Sequence, residues 1–405
     1  MTHLRRLWMM VFVAAAMAQA GAARAADPPP LILISIDGFR ADYLGRGLSP
    51  NLQALAAGGV RAERMTPSFP SITFPNHYTL VTGLYPDHHG VIANGFEDPR
   101  VPGPAFTMKA MDEAWWNQAL PIWITAERQG VKTGEMFWPG AEVVFGESRP
   151  SYVVPYDKTM PENARVDRVL KWLDLPPAER PRFLTLYFEA VDTAGHDFGA
   201  SSPEVNRAIV KVDAAIGRLV AGLKTRSLAA DLVILADHGM SDVPPGHILD
   251  LDRLTDPAAA HVVFQGVVLG VNFADTPAGR AARASLLAAH DHLTCWDKAD
   301  VPARYHYGAN PRVPAVVCMT ERGWMALTEA QAARRKTPMR GEHGYDIDDP
   351  EMGALFIANG PQFRRGLVIP PFPNVDVYPL LTAVLGVKGE PNDGRLADLQ
   401  PILAR

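Results

Sequence analysis

Three apolar runs in this chain end the same way. "LILISID" (Leu31 to Asp37), "DLVILADH" (Asp231 to His238) and "LTLYFEAVDTAGH" (Leu184 to His196) each read as a buried strand with acids and histidines at or just past its tip. Strand patterns cover Leu31–Ile36, Phe183–Phe188, Leu232–Ala236, Val267–Val271, Ala315–Cys318 and Ala354–Ile357, and helical stretches separate several of them. The alternation predicts an α/β fold: a largely parallel central sheet with helices on both faces, and a smaller inserted cap or subdomain. In an open sheet of this kind the carboxyl ends of neighbouring strands converge on one crevice, so the acids and histidines are expected to meet there.

The helices carry their own signals. Ser49-Pro50 opens one that runs to Gly58, and Ser202-Pro203-Glu204 opens a longer one. In the second, Val205, Ile209, Val212, Ile216, Leu219 and Leu223 recur at steps of three and four, a stripe for core packing. Residues from about 245 to 340 are less regular and read as the insertion. The basic stretch "ARRKTPMR" near its end reads as a solvated loop.

With 405 residues, 47% hydrophobic content and a mean hydropathy near zero, the chain suits one large globular domain and carries no signature of disorder. A net charge of −5 gives no general basis for binding nucleic acid over a basic surface, so no stable nucleic-acid complex is expected. Residues 1–25 read as a signal peptide: Arg5 and Arg6, an apolar run from Leu7 to Ala18, and the cleavage pattern Ala23-Arg24-Ala25. The run is too short to span a bilayer, so the mature chain, from about Ala26, is expected to have no membrane span and to be periplasmic or secreted. A retained anchor is the alternative, and the arginine pair suits general or twin-arginine export. In an exported protein Cys295 and Cys318 are candidates for a single disulfide.

Asp37, Asp192 and Asp237 pose an electrostatic problem. Taken singly, each could cap a loop. Brought together in a crevice, three carboxylates repel and raise one another's pKa unless a counter-charge is present. Aspartates mixed with histidines suit zinc or another first-row divalent ion, where calcium or magnesium would favour oxygen ligands alone. A nucleophile is available in "PSFPSITFPNHYTL", where Thr73 precedes an apolar-periodic segment. It is a candidate helix N-cap, and a helix start also favours a phosphate held against the hydroxyl.

Six ordered motifs complete the pattern: "DGFR" at Asp37–Arg40, "TFPNHYTLVTGLYPDHHGVIAN" at Thr73–Asn94, "FWPG" at Phe137–Gly140, "DTAGHDFG" at Asp192–Gly199, "ADHGM" at Ala236–Met240 and "EHGYD" at Glu342–Asp346. The chain resembles the nucleotide pyrophosphatase/phosphodiesterases of the alkaline phosphatase superfamily. The resemblance implies two Zn²⁺ per chain. One is held by Asp37, Asp237 and His238 with Thr73 as its reactive ligand, and the other by Asp192, His196 and His343.

It further implies that Thr73 forms a phosphothreonine, that Asn94 hydrogen-bonds a phosphate oxygen, and that nucleoside 5′-monophosphates are released. By its own sequence a loop asparagine before Gly95 also suits a turn. For the base, Phe74 fits one face of an aromatic sandwich and Tyr152 the other, with Tyr156 competing; Trp138 is expected to line the same pocket or to belong to the core. The expected partner is a small-molecule nucleotide or phosphodiester, acted on by a monomer. Two zinc ions against three carboxylates leave about one positive charge, a match for a diester. Alternatives are a choline-lipid or other alkyl phosphodiesterase, a phosphomonoesterase, and a binding protein without turnover.

Overall fold

The computed structural model describes residues 28–334 and 339–404. The leader at residues 1–25 and part of the basic loop lie outside the described residues. The chain forms strands β1 (Leu31–Ile36), β2 (Val60–Ala62), β3 (Thr133–Met136), β4 (Tyr152–Val154), β5 (Phe183–Phe188), β6 (Asp231–Leu235), β7 (Ala260–Phe264), β8 (Val268–Phe273), β9 (Leu293–Asp297), β10 (Val316–Thr320), β11 (Phe356–Asn359) and β12 (Leu367–Ile369). The helices that concern the site are α1 (Pro50–Gly58), α2 (Thr73–Thr82), α3 (Glu162–Leu173), α4 (Ala190–Phe198), α5 (Pro203–Thr225) and α6 (Val377–Leu385).

Eight strands make the central sheet, in the order β12-β2-β11-β6-β1-β5-β3-β4. Every residue of β1, β5 and β6 is buried, as expected of strands covered on both faces. β1 pairs in parallel with β5 and β6, Ile36 level with Phe188 and Ser35 level with Leu235. The three strands therefore end together. β11 departs from the parallel pattern, running antiparallel to both β6 and β2. Helices α1, α3 and α4 each pack on α5, while α2 packs on α6 and α6 on β1.

The long helix behaves as its stripe predicts, with Val205 through Leu223 buried and Ser202 Oγ accepting the Val205 N–H at 3.2 Å. At α1, Ser49 makes no side-chain cap. Asp213 of α5 caps it instead, accepting from the Asn51 and Leu52 N–H groups at 3.2 and 2.9 Å. A buried carboxylate from one helix thus satisfies the free amides of another and locks the two together.

The region read as irregular contains its own antiparallel sheet, in the order β7-β8-β10-β9. The runs at Val267–Val271 and Ala315–Cys318 belong to it and not to the central sheet. Leu269, Val271, Leu286 and Val316 form its separate small core, and Cys295 and Cys318, directly opposed across β9 and β10, are joined as a disulfide. Among the described residues no helix is long and apolar enough to cross a membrane.

Glu135, on β3 opposite Thr185 of β5, is fully buried. Burial raises its pKa from 4.5 to about 8, and neither of its carboxyl oxygens has a hydrogen-bond partner among the described residues. A carboxyl shifted upward contributes most to the fold below its unfolded pKa, and that contribution is lost as pH rises through the folded pKa. Between the two values the parent should lose about 1.4 kcal/mol for each pH unit, a loss that Glu135→Gln escapes. The variant should therefore gain stability relative to the parent as the pH is raised from about 5 to about 8. Denaturant midpoints at the two pH values check this; equal midpoint differences would show that Glu135 is ionised in the fold.

Candidate active site

The level strand ends place the first side chains. Asp37 follows β1 directly, and Asp237 and His238 follow β6 by one residue. Gly38, at φ +67°, turns the chain so closely that an added Cβ would lie 3.0 Å from the Asp192 Cα, and its N–H donates to Asp237 Oδ1 at 3.3 Å. After β5 the chain enters α4 rather than a loop, which puts Asp192 and His196 one turn apart on one helical face. Arg165 of α3 holds that junction, forking onto Glu189 at 2.5 and 2.8 Å and donating to the Tyr187 carbonyl.

His343 arrives from far along the chain. Gly341–Glu342 pairs antiparallel with Ser241–Asp242, just past His238, and the Arg340 N–H donates to the His196 carbonyl. Backbone hydrogen bonds thus fasten the 340–343 segment to both neighbouring motifs.

The three histidines share one arrangement. Nδ1 of His196, His238 and His343 lies 2.9, 2.9 and 3.0 Å from the carbonyls of Gly341, Gly239 and Ser71. Only an N–H can bond a carbonyl, so each Nδ1 is protonated and each Nε2 is the nitrogen that faces the centre, offering a lone pair to an ion when the ring is neutral. His343 Nε2 stands 3.2 Å from His196 Nε2, and 3.6 Å from Asp192 Oδ1. His238 Nε2 stands 2.9 Å from Asp237 Oδ2 and 3.6 Å from Asp37 Oδ1. Asp37 Oδ1, Asp192 Oδ1 and Asp237 Oδ2 are buried with no hydrogen-bond partner.

Burial, then repulsion from Asp237 and Asp192, raises the Asp37 pKa well above the ordinary carboxylate value. Burial likewise raises Asp192, in spite of His196 and His238. Asp237 is buried too, but His238 and His77 hold it well below. Burial pushes His343 well down, helped by the neighbouring His238 and His196. Buried acceptors aimed at one another without donors are the arrangement that divalent cations satisfy. The donor set of carboxylate oxygens and imidazole nitrogens fits a first-row metal.

Among the described residues, ligand atoms lie within 4.8 Å of one another in three groups, the first two sharing His343: Asp192, His238 and His343; His196, Glu342 and His343; and Asp37, His77 and Asp237. His77 belongs to the last by distance only. Its Nδ1 lies 2.9 Å from the Thr73 carbonyl and 3.3 Å from Asp237 Oδ2, and its Nε2 lies 2.9 Å from Ser35 Oγ, so both nitrogens are engaged. It is a positioning residue that orients Asp237. Tyr187 does the same for Asp37, donating to Oδ2 at 2.6 Å.

Thr73 is the first residue of α2, with Ile72 at the cap position and no side-chain cap. The expected N-cap role is not what it performs. Its hydroxyl lies 3.4 Å from His238 Nε2. The helix start offers fewer amides than expected, since Pro75 has none and the Phe74 N–H donates to Asn94 Oδ1 at 2.8 Å. That bond turns the Asn94 NH₂ the other way.

Two aromatic expectations need correction. Tyr152 begins the edge strand β4, its hydroxyl donating to the Glu179 carbonyl and its ring against Trp172, at the strand end opposite the site. Tyr156, two residues past the carboxyl end of β4, is half exposed and lies edge-on to Phe137 and Tyr187. Trp138 is buried, its N–H donating to the His77 carbonyl at 3.1 Å, so it underpins α2 and has no open face to offer. Phe74 is half-buried against Phe106 and Trp116.

The family described as Type I phosphodiesterase / nucleotide pyrophosphatase matches residues 31–346. The chain belongs to that family. Its members are phosphoric diester hydrolases, metal-dependent and of the alkaline phosphatase-like α/β fold. An uncharacterised pyrophosphatase/phosphodiesterase of Schizosaccharomyces pombe is 39% identical over 92% of this chain and 80% of its own. Rat ectonucleotide pyrophosphatase/phosphodiesterase family member 3 is 36% identical, and a venom phosphodiesterase of Crotalus durissus collilineatus 37%, each over 93% of this chain. The chain covers 44% and 47% of those two relatives, under half of their length. Among solved structures, murine ectonucleotide pyrophosphatase/phosphodiesterase 5, as an inactive threonine-to-alanine variant in complex with AMP, superposes with a TM-score of 0.88 and 32% identity over 93% of this chain and all of its own.

The charge balance of this phosphodiesterase site predicts how metal removal acts. Asp37 and Asp192, with folded pKa values raised, favour the metal-free fold below the unfolded carboxylate range and disfavour it as pH rises through the folded values. Chelation should therefore lower Tm by several degrees at pH 8, by less at pH 5, and a first-row divalent ion should restore it. A chelation effect independent of pH would show that the carboxylates do not bear the ion.

Proposed function

We propose that this chain is an exported, two-zinc phosphodiesterase, acting as a monomer, that hydrolyses nucleotide phosphodiesters and pyrophosphates to nucleoside 5′-monophosphates through a phosphothreonine on Thr73. The observation that carries the reading is the Thr73 hydroxyl, left unused by the helix it starts and set 3.4 Å from His238 beside three partnerless carboxylate oxygens. Asp37, Asp237 and His238 with Thr73, and Asp192, His196 and His343, would hold the two ions, which when bound supply the positive charge that acidifies a hydroxyl and stabilises a departing oxygen.

The remaining roles fall to the chain itself. Thr73 Oγ1 loses its proton to solvent and bonds to phosphorus as the bond to the leaving oxygen breaks; that oxygen takes a proton from water. Water then displaces Thr73, giving the 5′-monophosphate and restoring the hydroxyl. Asn94, its Oδ1 fixed by the Phe74 N–H, donates through Nδ2 to a non-bridging phosphate oxygen. Phe74 and Tyr156 flank the base from opposite chain segments. Arg40, the arginine of the first motif, is occupied by Asp42 at 2.8 Å and Glu351 at 3.4 Å. It does not serve a third phosphate oxygen, which favours a diester over a monoester. The AMP bound to the murine relative supports the nucleotide reading, and the Cys295–Cys318 disulfide suits an exported chain.

Zinc-restored hydrolysis of a thymidine 5′-monophosphate nitrophenyl ester, in preference to nitrophenyl phosphate, tests the reaction class. Thr73→Ala should lower kcat by at least about 10³-fold while keeping metal content and Tm. A preference for the monoester, or full activity without Thr73, overturns the reading. Tyr156→Ala should raise KM for the nucleotide ester about tenfold, the scale of one lost stacking contact, where Tyr152→Ala changes it little. The reverse order would return Tyr152 to the base site.

A further inference from the structure

A cavity of about 390 Å³ opens on the centre, lined by neither Phe74 nor Tyr156. Its inner wall is Asn94, His196 and His343; its outer wall is the end of β7 and the turn into β8 of the inserted sheet, with Val263, Phe264 and Val267. The order of the groups across the centre gives the cavity a direction. Thr73 lies beside His238, the His343 ring stacks on His238 with centroids 3.6 Å apart, and His196 follows, its Nε2 3.2 Å from that of His343. An in-line displacement by Thr73 expels its leaving group away from the nucleophile, past His343 and His196, into this space.

The wall limits what fits there. Phe264 lies over Gly270, where an added Cβ would come within 2.4 Å of its ring, so the missing side chain is what lets the ring lie down on β8. Val263 and Val267 extend the apolar surface, and among the described lining residues there is no lysine or arginine of the kind that grips a departing pyrophosphate. The volume suits a group of nucleoside size.

We propose that this cavity is the leaving-group subsite and that it takes an uncharged, planar group, the second nucleoside of a dinucleoside phosphodiester. The proposal rests on the hydrolase reading above and adds to it the side of the substrate away from Phe74 and Tyr156.

The test uses the zinc-loaded full chain and two substrates sharing one retained nucleotide: a thymidine dinucleoside monophosphate and the methyl ester of thymidine 5′-monophosphate. Val263→Trp, which fills the cavity, should lower the ratio of their kcat/KM values roughly tenfold, and Phe264→Ala, which removes the platform, by a few-fold. The same ratio read as affinities, by calorimetry in a Thr73→Ala background, should fall in parallel. If Val263→Trp does not fold, Phe264→Ala decides. An unchanged ratio in a folded variant overturns the subsite and leaves the hydrolase reading standing. Absence of diester turnover in the parent overturns the hydrolase reading, and the calorimetric ratio still judges the cavity.

Discussion

Three buried carboxylate oxygens and three imidazole Nε2 atoms are aimed at one small volume, and much of the surrounding structure exists to keep them there. Left to themselves these groups would separate or take up protons. Asp37 is raised by its burial and by its two acidic neighbours, and two Nε2 atoms face each other at 3.2 Å. The fold holds them by gripping the other end of each side chain. Each histidine is fixed at Nδ1 by a backbone carbonyl, Asp37 at Oδ2 by Tyr187, Asp237 at Oδ1 by the Gly38 N–H. The free ends are what remains, and their common need is positive charge.

The central sheet makes this economical. Parallel strands in register end together, so residues one or two positions past β1 and β6 emerge side by side with no further device. The other ligands need more. α4 begins immediately after β5 and sets Asp192 and His196 on one face, and the Arg165–Glu189 fork fixes where it begins. His343 is carried in by a two-residue strand pair alongside the segment that follows His238. A long excursion of chain between Asp242 and Gly341 can therefore fold as its own sheet while its two ends stay fastened at the site.

Legibility in the sequence followed the physics of each feature. The strands of the sheet centre were plain because burial on both faces makes a strand an unbroken apolar run. Acids and histidines at strand tips were plain because parallel topology leaves them one destination. The direction of β11 was not, since a buried run looks the same either way round. Ser49 carries a cap signature, but Asp213, distant in sequence, supplies the carboxylate. His77 had a signal, four residues after Thr73 on a helix and so on its face; Tyr187 had none that separates it from a core aromatic. Tyr152 and Tyr156 differ only in which end of a three-residue strand they flank, and composition does not register that. The alternation that gave α/β class also swept in β8 and β10, whose apolar runs serve a second core.

The division between sheet and insertion carries a functional consequence. Groups that handle charge are fixed by strand ends and backbone hydrogen bonds, and a shift of one of them alters all its neighbours. The surfaces that meet the organic parts of a substrate come from elsewhere: Phe74 at a helix start, Tyr156 past an edge strand, Val263 and Phe264 at the end of a strand of the inserted sheet. Those surfaces can be changed one at a time without moving a carboxylate. A chain built this way keeps one reaction, set by the rigid centre, while its choice of substrate is written on the loops around it.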